Sequence, residues 1–272
     1  MSDAANEVAV SGAATETIGA ATATVGAATE TIGPLDGPVI VFVHGSRITK
    51  SSWRAVTARL AGRYRCVCVD LPGHGALADR PFSLDAAADV VDAALDAEDV
   101  GRAVVVGLSL GGYVAMAVAA RSPERVRGLV LAGSTAEPSG PAAAAFRLFA
   151  WALGAAPQRP FDALNTWFFR HRYPPDIAEP IVEAGYWSRG GAAAVRTLPR
   201  SRFRERLLAY GGPILVINGD LDLVFRLGER SFLRGVPNVT RRTFRWTTHL
   251  SPLDRPEQFA AAVRRFVERL PA

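Results

Sequence analysis

From Pro38 onward, short apolar runs alternate with longer amphipathic segments. The apolar runs are bounded by Gly, Pro or charged residues, a pattern typical of strands that are buried on both faces: PVIVFV, YRCVCVDL, AVVVG, VRGLVLAG and PILVING. The segments SSWRAVTARLA, LDAAADVVDAALDA and GGYVAMAVAARS, together with residues 256–270, are predicted helices, and VTRRTFRW is a predicted last strand. Because strands that alternate with helices form right-handed crossovers, we expect an α/β fold with a doubly wound, mostly parallel sheet.

The alternation stops between residues 134 and 210, where no clear strand is present. This region is too long for a plain loop and is richer in Pro, Arg and aromatic residues. Its aromatic residues include Trp151, Trp167, Phe168, Phe169, Tyr173, Tyr186 and Trp187. We therefore predict a helical cap over 134–210, inserted into a core that is formed by 34–133 and 211–272.

Three near-identical heptads precede the core: GAATETI (12–18), GAATATV (19–25) and GAATETI (26–32). Each heptad contains Gly, Thr and a single large apolar residue, which is unfavourable for a coiled coil. Such a segment buries too little surface to offset the entropy of ordering it, so residues 1–33 are expected to form a disordered tail. A peripheral amphipathic contact is the alternative. We expect that deletion of the tail leaves the activity and the melting temperature nearly unchanged.

The net charge of +5 and the pI near 9.7 do not by themselves indicate nucleic-acid binding. Lys50 is the only lysine, the arginines are scattered, and no basic stripe interleaves with aromatic residues as in single-strand binders.

The two cysteines, Cys66 and Cys68, share one face of a predicted strand and form no CxxC motif, so we interpret them as core residues rather than metal ligands.

The sequence also bears on location. No apolar run reaches the roughly 18 residues of a membrane span, and the N-terminus shows no basic segment followed by an apolar one, as a secretory signal would. We therefore expect a cytoplasmic protein with neither a membrane nor a nucleic-acid partner.

The stretch VVVGLSLGGYVAMAVAA places Ser109 where a strand ends and a helix begins. A G-x-S-x-G pattern alone is weak evidence for a catalytic serine. A strand before it and a helix after it are the structural context that this motif requires. The turn would hold Ser109 in a strained conformation, and the glycines at Gly107 and Gly111 are needed because side chains there would collide. Its hydroxyl would then lie above the carboxyl edge of the sheet, at a helix N-terminus that favours negative charge. Ser109 is therefore a candidate nucleophile.

A serine hydroxyl needs a base, usually histidine, and the base needs a carboxylate that orients it. The chain has four histidines: His44, His74, His171 and His249. Only His249 follows both the serine and a candidate acid at a strand end, in INGDLDLV. Both Asp220 and Asp222 are candidates for that acid.

Five motifs occur in a fixed order: His44–Gly45, the DLPGHG turn at Asp70–Gly75, G-x-S-x-G, G-x-x-D at Gly219–Asp222, and H-x-x-x-L-D-x-P-E-x-F from His249. With these motifs the chain resembles the α/β-hydrolases with a cap domain, from about Pro38 to the end except for the divergent insertion. The resemblance implies a catalytic triad of Ser109, Asp222 and His249, with Asp220 as the alternative acid. Haloalkane and epoxide hydrolases are disfavoured, since those relatives carry Asp in place of Ser109.

The resemblance further implies an oxyanion hole that is formed by the backbone N–H groups of Ser46 and Leu110. The residues after His44–Gly45 are SRIT, whereas the commoner patterns have a bulky aromatic or a glycine triplet. Arg47 therefore has two interpretations, a solvated charge or a contact for an anionic substrate group. The same two interpretations apply to the run Arg170–Arg172. His44 and His74 are interpreted as structural.

These inferences predict a serine hydrolase that cleaves an ester, lactone or thioester of a small apolar substrate through an acyl-enzyme, without a metal or organic cofactor. The aromatic residues of the insertion either wall a pocket over Ser109 or form the core of the cap. Three alternatives use the same fold: a carbon–carbon bond hydrolase, a biosynthetic cyclase, and a non-catalytic small-molecule binder.

Overall fold

The computed structural model of the protein describes residues 26–271. Seven strands form one sheet: β1 (Thr29–Ile32), β2 (Val39–Val43), β3 (Arg65–Val69), β4 (Ala103–Leu108), β5 (Val126–Ala132), β6 (Ile214–Gly219) and β7 (Val239–Phe244). Their order is β1-β3-β2-β4-β5-β6-β7. Strands β2 to β7 are parallel and β1 is antiparallel to β3. The predicted α/β fold is confirmed.

The α-helices that lie entirely within the described residues are α1 (Arg54–Thr57), α2 (Leu84–Ala97), α3 (Leu110–Arg121), α4 (Ala143–Ala155), α5 (Gln158–Arg172), α6 (Pro175–Ala184), α7 (Ser188–Thr197), α8 (Phe203–Tyr210), α9 (Leu223–Phe232), α10 (Ser251–Asp254) and α11 (Pro256–Val267). Helix α2 coincides with the predicted segment, and the Ser83 hydroxyl caps it by accepting a hydrogen bond from the Ala86 N–H at 3.0 Å. Within residues 26–271, no helix combines the length and the apolar character needed to cross a bilayer.

Both faces of the sheet are buried, as expected for parallel strands with near-continuous apolar sequences. Along β2, Val41 and Val43 pack into the layer of α2 and α3, whereas Ile40 and Phe42 pack into the layer of α1 and α11. Cys66 and Cys68 both lie in this second layer, on one face of β3 as predicted. The sheet is therefore doubly wound, and the carboxyl ends of its parallel strands meet at one edge.

Strand β1 corrects the prediction for the start of the chain, because Thr29–Ile32 lies inside the segment that was expected to be disordered. Thr29 pairs with Val69 and Ile32 pairs with Cys66, so β1 covers the edge of β3. The Ala28 carbonyl also accepts a hydrogen bond from the Asp70 N–H at 2.8 Å. The heptad composition concealed this strand because its hydrogen-bond partners come from β3. Residues 1–25, with the first two heptads, lie outside the described residues.

Deleting residues 1–33 is therefore expected to destabilise the protein, whereas deleting residues 1–25 retains β1 and serves as the matched control. Loss of the β1 ladder should cost at least ~1 kcal/mol, which corresponds to roughly 2–4 °C in a protein of this size. Differential scanning calorimetry of the two truncated proteins measures the difference. Equal melting temperatures would mean that β1 contributes nothing to stability.

Helices α4 to α8 follow β5 and precede β6, and the described residues of this insertion contain no strand. Its last helix packs on the core, and the Phe203 ring of α8 lies 4.6 Å from the ring of Tyr113 in α3. Helix α8 thus belongs to the helical layer on one face of the sheet. Helices α4, α5 and α7 instead wall a cavity at the carboxyl edge of the sheet.

Candidate active site

Ser109 lies between β4 and α3, in the strand–turn–helix context that the sequence predicts. Its backbone has φ 53° and ψ −114°, in the left-handed half of conformational space that residues other than glycine seldom adopt. The Ser109 N–H donates to the Ala132 carbonyl of β5 at 2.8 Å, and this bond helps to hold the turn. The hydroxyl group is thereby directed out of the sheet edge, as in a nucleophile elbow.

The two glycines of the motif are required by close backbone contacts. A Cβ atom on Gly107 would lie 2.3 Å from the Gly111 carbonyl oxygen. A Cβ atom on Gly111 would lie 2.1 Å from the Val43 carbonyl oxygen at the end of β2. The absence of side chains lets α3 begin directly against β2, which brings the loop after His44 next to Ser109.

His249 pairs with Asp222, and both residues lie at the same edge of the sheet. The distance between His249 Nδ1 and Asp222 Oδ2 is 2.8 Å, and the aspartate is buried with 6% of its surface exposed. The imidazole also stacks on Phe225, with ring centroids 5.0 Å apart. When Nδ1 donates its proton to this carboxylate, Nε2 is left as the proton acceptor of the imidazole.

Asp220, the alternative acid, has a different partner. Its Oδ1 accepts a hydrogen bond from the Thr247 N–H at 3.1 Å, and backbone N–H groups, above all that of Thr247, hold the pKa of Asp220 below its ordinary value. Asp220 therefore fixes the segment that leads from β7 to His249. Of the two acids that the sequence left open, Asp222 is the one that contacts the imidazole.

Ser109, Asp222 and His249 line one cavity. Among residues 26–271, the Ser109 hydroxyl has no hydrogen-bond partner, and the side-chain hydrogen bond of His249 is the one to Asp222. Catalytic hydrogen bonds are often long without substrate and shorten in the complex.

Two residues that line the same cavity have backbone N–H groups without an acceptor among the described residues. One belongs to Leu110, the first residue of α3, whose N–H has no partner within its own helix. The other belongs to Ser46, in the loop after β2. These are the two donors that the sequence predicts for an oxyanion hole, and the contact of Gly111 with β2 brings their loops together.

His44 and His74 lie behind this site as buried hydrogen-bond acceptors. His44 Nε2 accepts from the Leu71 N–H at 3.0 Å, and His74 Nε2 accepts from the Arg47 N–H at 3.3 Å. Burial lowers the pKa of His44 and lowers that of His74 to about 3, so both rings are neutral. They hold loops in place, in agreement with their interpretation as structural residues.

The cavity has a volume of about 710 Å³, within the usual range for small-molecule sites. Its wall is largely apolar, and α4 and α5 contribute Phe146, Phe149, Leu164, Trp167, Phe168 and Phe169. The predicted aromatic wall thus includes Trp167, Phe168 and Phe169 of the sequence candidates. Phe146 and Phe149 were missed, although their spacing of three in AAAAFRLFA places them on one helical face.

The charged run at the end of α5 does not line the cavity. Arg170 pairs with Glu179 at 2.8 Å, Arg172 pairs with Asp254 at 3.0 Å, and His171 stacks on Trp167. These cations already have carboxylate partners or face solvent. The interpretation as a solvated charge run therefore fits this segment.

The model of the alpha/beta hydrolase family matches residues 40–262, and the chain belongs to this family. Over 250 residues it is 30% identical to the pimeloyl-[acyl-carrier protein] methyl ester esterase of Neisseria meningitidis serogroup C, covering 84% of this chain and 93% of that protein. A shorter match of 101 residues is 44% identical to the protein of the same name from Nitrosomonas europaea, and it spans 37% of this chain and 38% of that relative.

Among solved structures, the fold is similar to that of a thermophilic esterase from Thermogutta terrifontis in a malate-bound form. The TM-score is 0.73 at 26% identity, and the match covers 89% of this chain and 93% of the other.

Proposed function

We propose that the protein is a serine hydrolase that cleaves a carboxylic ester-type bond of a small molecule, with Ser109, His249 and Asp222 as its catalytic triad. The observation that carries the proposal is the His249–Asp222 pair at 2.8 Å in the cavity that Ser109 lines from a strained turn. Similarity to proteins named as esterases supports ester hydrolysis rather than another reaction of the fold.

In the first half of the reaction, His249 Nε2 takes the proton from Ser109 as the serine oxygen attacks the ester carbonyl. The negative charge that develops on the carbonyl oxygen accepts hydrogen bonds from the Ser46 and Leu110 N–H groups. Asp222 stabilises the imidazolium and fixes its orientation. Collapse of the tetrahedral intermediate expels the alcohol, which receives the proton from His249, and leaves an acyl group on Ser109.

In the second half, His249 removes a proton from water, and the resulting nucleophile attacks the acyl-enzyme. The same two N–H groups hold the second oxyanion, and the serine oxygen leaves with the proton from His249. The net change is one ester and one water converted to one acid and one alcohol. These steps use side chains and backbone groups alone.

The apolar wall of the cavity favours a substrate whose acyl part is an aliphatic chain or a ring. A small-molecule ester is therefore the proposed partner of the site.

The aromatic wall supports a cap role for α4, α5 and α7, while the contact of α8 with α3 favours a cap that ends before α8. The cytoplasm stays the predicted location.

The proposal is tested by intact-protein mass spectrometry after treatment with a fluorophosphonate, which reacts with activated serines. We expect a single adduct on the parent protein and none on Ser109→Ala. Ser139→Ala, a serine outside the cavity lining, is the control and should keep the adduct.

Four results would count against the proposal. An adduct on Ser109→Ala would assign the activated serine elsewhere. Saturable ligand binding with no adduct on folded protein would favour a binder. Turnover of vinylogous diketones with weak activity on esters would indicate the carbon–carbon bond hydrolase instead, and a rearranged product of unchanged mass would indicate a cyclase.

A further inference from the structure

Arg47 places a guanidinium group in the wall of the same cavity. Its Nη2 donates to Asn165 Oδ1 of α5 at 2.6 Å, and its Cζ lies 4.9 Å from the centroid of the Phe161 ring. Unlike Arg170 and Arg172, Arg47 forms no salt bridge with any residue between 26 and 271. The side chain is thus partly buried and bonded to Asn165.

The guanidinium group of Arg47 loses part of its hydration at this position. Burial lowers the pKa of Arg47, and the electrostatic interactions with Tyr186 and Asp162 oppose this effect only in part. The Asp162 carboxylate acts only at a distance: among the described residues it forms no hydrogen bond or salt bridge with Arg47, and its buried Oδ1 has no hydrogen-bond partner. Arg47 is therefore a partly buried cation without a salt-bridge partner among the described residues, and an anion supplied by a ligand would offset its lost hydration.

The backbone of Arg47 is held from several sides. Its φ of 75° is unusual for a residue with a side chain. The N–H donates to His74, and the carbonyl accepts from the Trp187 N–H at 2.8 Å. A Cβ atom on Gly191 would lie only 3.1 Å from Arg47 Cγ, so the glycine admits the side chain. These contacts fix the direction of the guanidinium before any ligand binds.

We propose that Arg47 is an anion subsite that binds a carboxylate on the substrate, so that the preferred substrates are esters of dicarboxylic acids that keep one acid group free. The inference rests on the proposed function and deepens it. One Nη of the guanidinium is bonded to Asn165, and the remaining donors of its planar fork match the two oxygens of a carboxylate.

The position of Arg47 relative to the other groups supports this substrate class. It directly follows Ser46, whose N–H is the proposed oxyanion donor, so the two ends of one short molecule could reach both groups. The cavity wall around them includes Phe146, Phe149 and Leu164, which suit an aliphatic chain between the ester and the acid.

A purely structural role gives a different expectation. Arg47 joins the core loop after β2 to α5 of the insertion through Asn165. If this tie were its only role, removing the guanidinium would loosen the cavity wall and lower the hydrolysis of charged and neutral esters equally.

The test compares three activated esters of matched length: the mono-ester of adipic acid, the same ester with a carboxamide in place of the free acid, and an isomer that carries the carboxylate on the alcohol. We expect the parent protein to prefer a carboxylate ester over the carboxamide. Arg47→Gln should lower kcat/KM for that ester by about 10- to 100-fold and change the carboxamide ester by less than about threefold. A preference for the isomer with the carboxylate on the alcohol, lost in Arg47→Gln, would overturn the assignment to dicarboxylic acid esters.

Arg159→Gln is the matched control, since it removes the same charge from exposed surface on the same helix as Asn165. It should leave the preference unchanged. Arg47→Lys keeps a cation at the position and should retain part of the preference, so it replaces Arg47→Gln if that variant does not fold. Circular dichroism establishes that each variant is folded.

A second measurement does not depend on turnover. In Ser109→Ala, calorimetric titration with adipate should show binding that the added Arg47→Gln substitution weakens by a similar factor. Equal loss of activity on acid and carboxamide esters, or unchanged adipate binding, would overturn the anion subsite. If the parent hydrolyses the carboxamide ester as well as the acid ester and Ser109→Ala hydrolyses neither, the proposed function stands and the subsite fails.

Discussion

Ser109→Ala is expected to lower kcat for an activated ester by about 10⁶-fold, the loss typical of removing a serine nucleophile. The acyl-enzyme cannot form without the hydroxyl oxygen, and His249 and the two N–H donors then have no covalent reaction to assist. The residual rate should reflect only binding and oxyanion stabilisation. Steady-state hydrolysis of a p-nitrophenyl ester measures the loss.

Stability is the necessary companion measurement for Ser109→Ala. Alanine experiences the same unfavourable φ of 53° as serine, so the melting temperature should change little. Ser139→Ala controls for unspecific effects and should retain full activity. Activity of Ser109→Ala within tenfold of the parent, in a protein freed of contaminating esterases, would contradict the assignment of the nucleophile.

Asp222→Asn is expected to lower kcat by about 10⁴-fold. The asparagine amide would donate a hydrogen bond to Nδ1 of His249, which forces the proton onto Nε2 and leaves no acceptor for the Ser109 hydroxyl. The fold should tolerate the change because the two side chains have nearly the same shape. Hydrolysis kinetics of the purified variant at a single pH, with the same ester as for Ser109→Ala, give the comparison.

Asp220→Asn is the matched control, two residues away on the same turn. Its side-chain oxygen can still accept the Thr247 N–H, so we expect a loss of less than about tenfold, in line with one neutral hydrogen bond replacing a charge-assisted one. A larger loss in Asp220→Asn than in Asp222→Asn would assign the acid to Asp220 and require a rearrangement of the turn.

The buried strands were predictable because parallel strands are apolar on both faces and end at Gly, Pro or charged residues. Helix α2 was predictable to its ends because Ser83 caps it and its apolar residues face one side. Strand β1 was not predictable from its own sequence, since it is stabilised by pairing with the edge of β3. Helix α9 was also missed, because it follows directly on the loop of Asp220 and Asp222.

Within the candidate site, chain order and motif spacing were enough to single out Ser109 and His249. Composition could not separate Asp220 from Asp222, because both follow β6 and only the turn geometry decides which carboxylate meets the imidazole. The environment of Arg47 could not be predicted from the sequence, for a further reason. It depends on where α5 of the insertion lies over the sheet, which no local pattern of residues encodes.

The left-handed backbone conformation at Ser109 serves catalysis and lowers the folding stability. Glycine adopts this conformation at little cost, whereas a residue with a side chain carries a penalty of about 1–3 kcal/mol. A redesign that optimises thermostability alone would therefore exchange this serine for glycine and yield a more robust but inert protein. Any directed evolution of this scaffold toward heat resistance needs a selection for turnover to keep position 109 as it is.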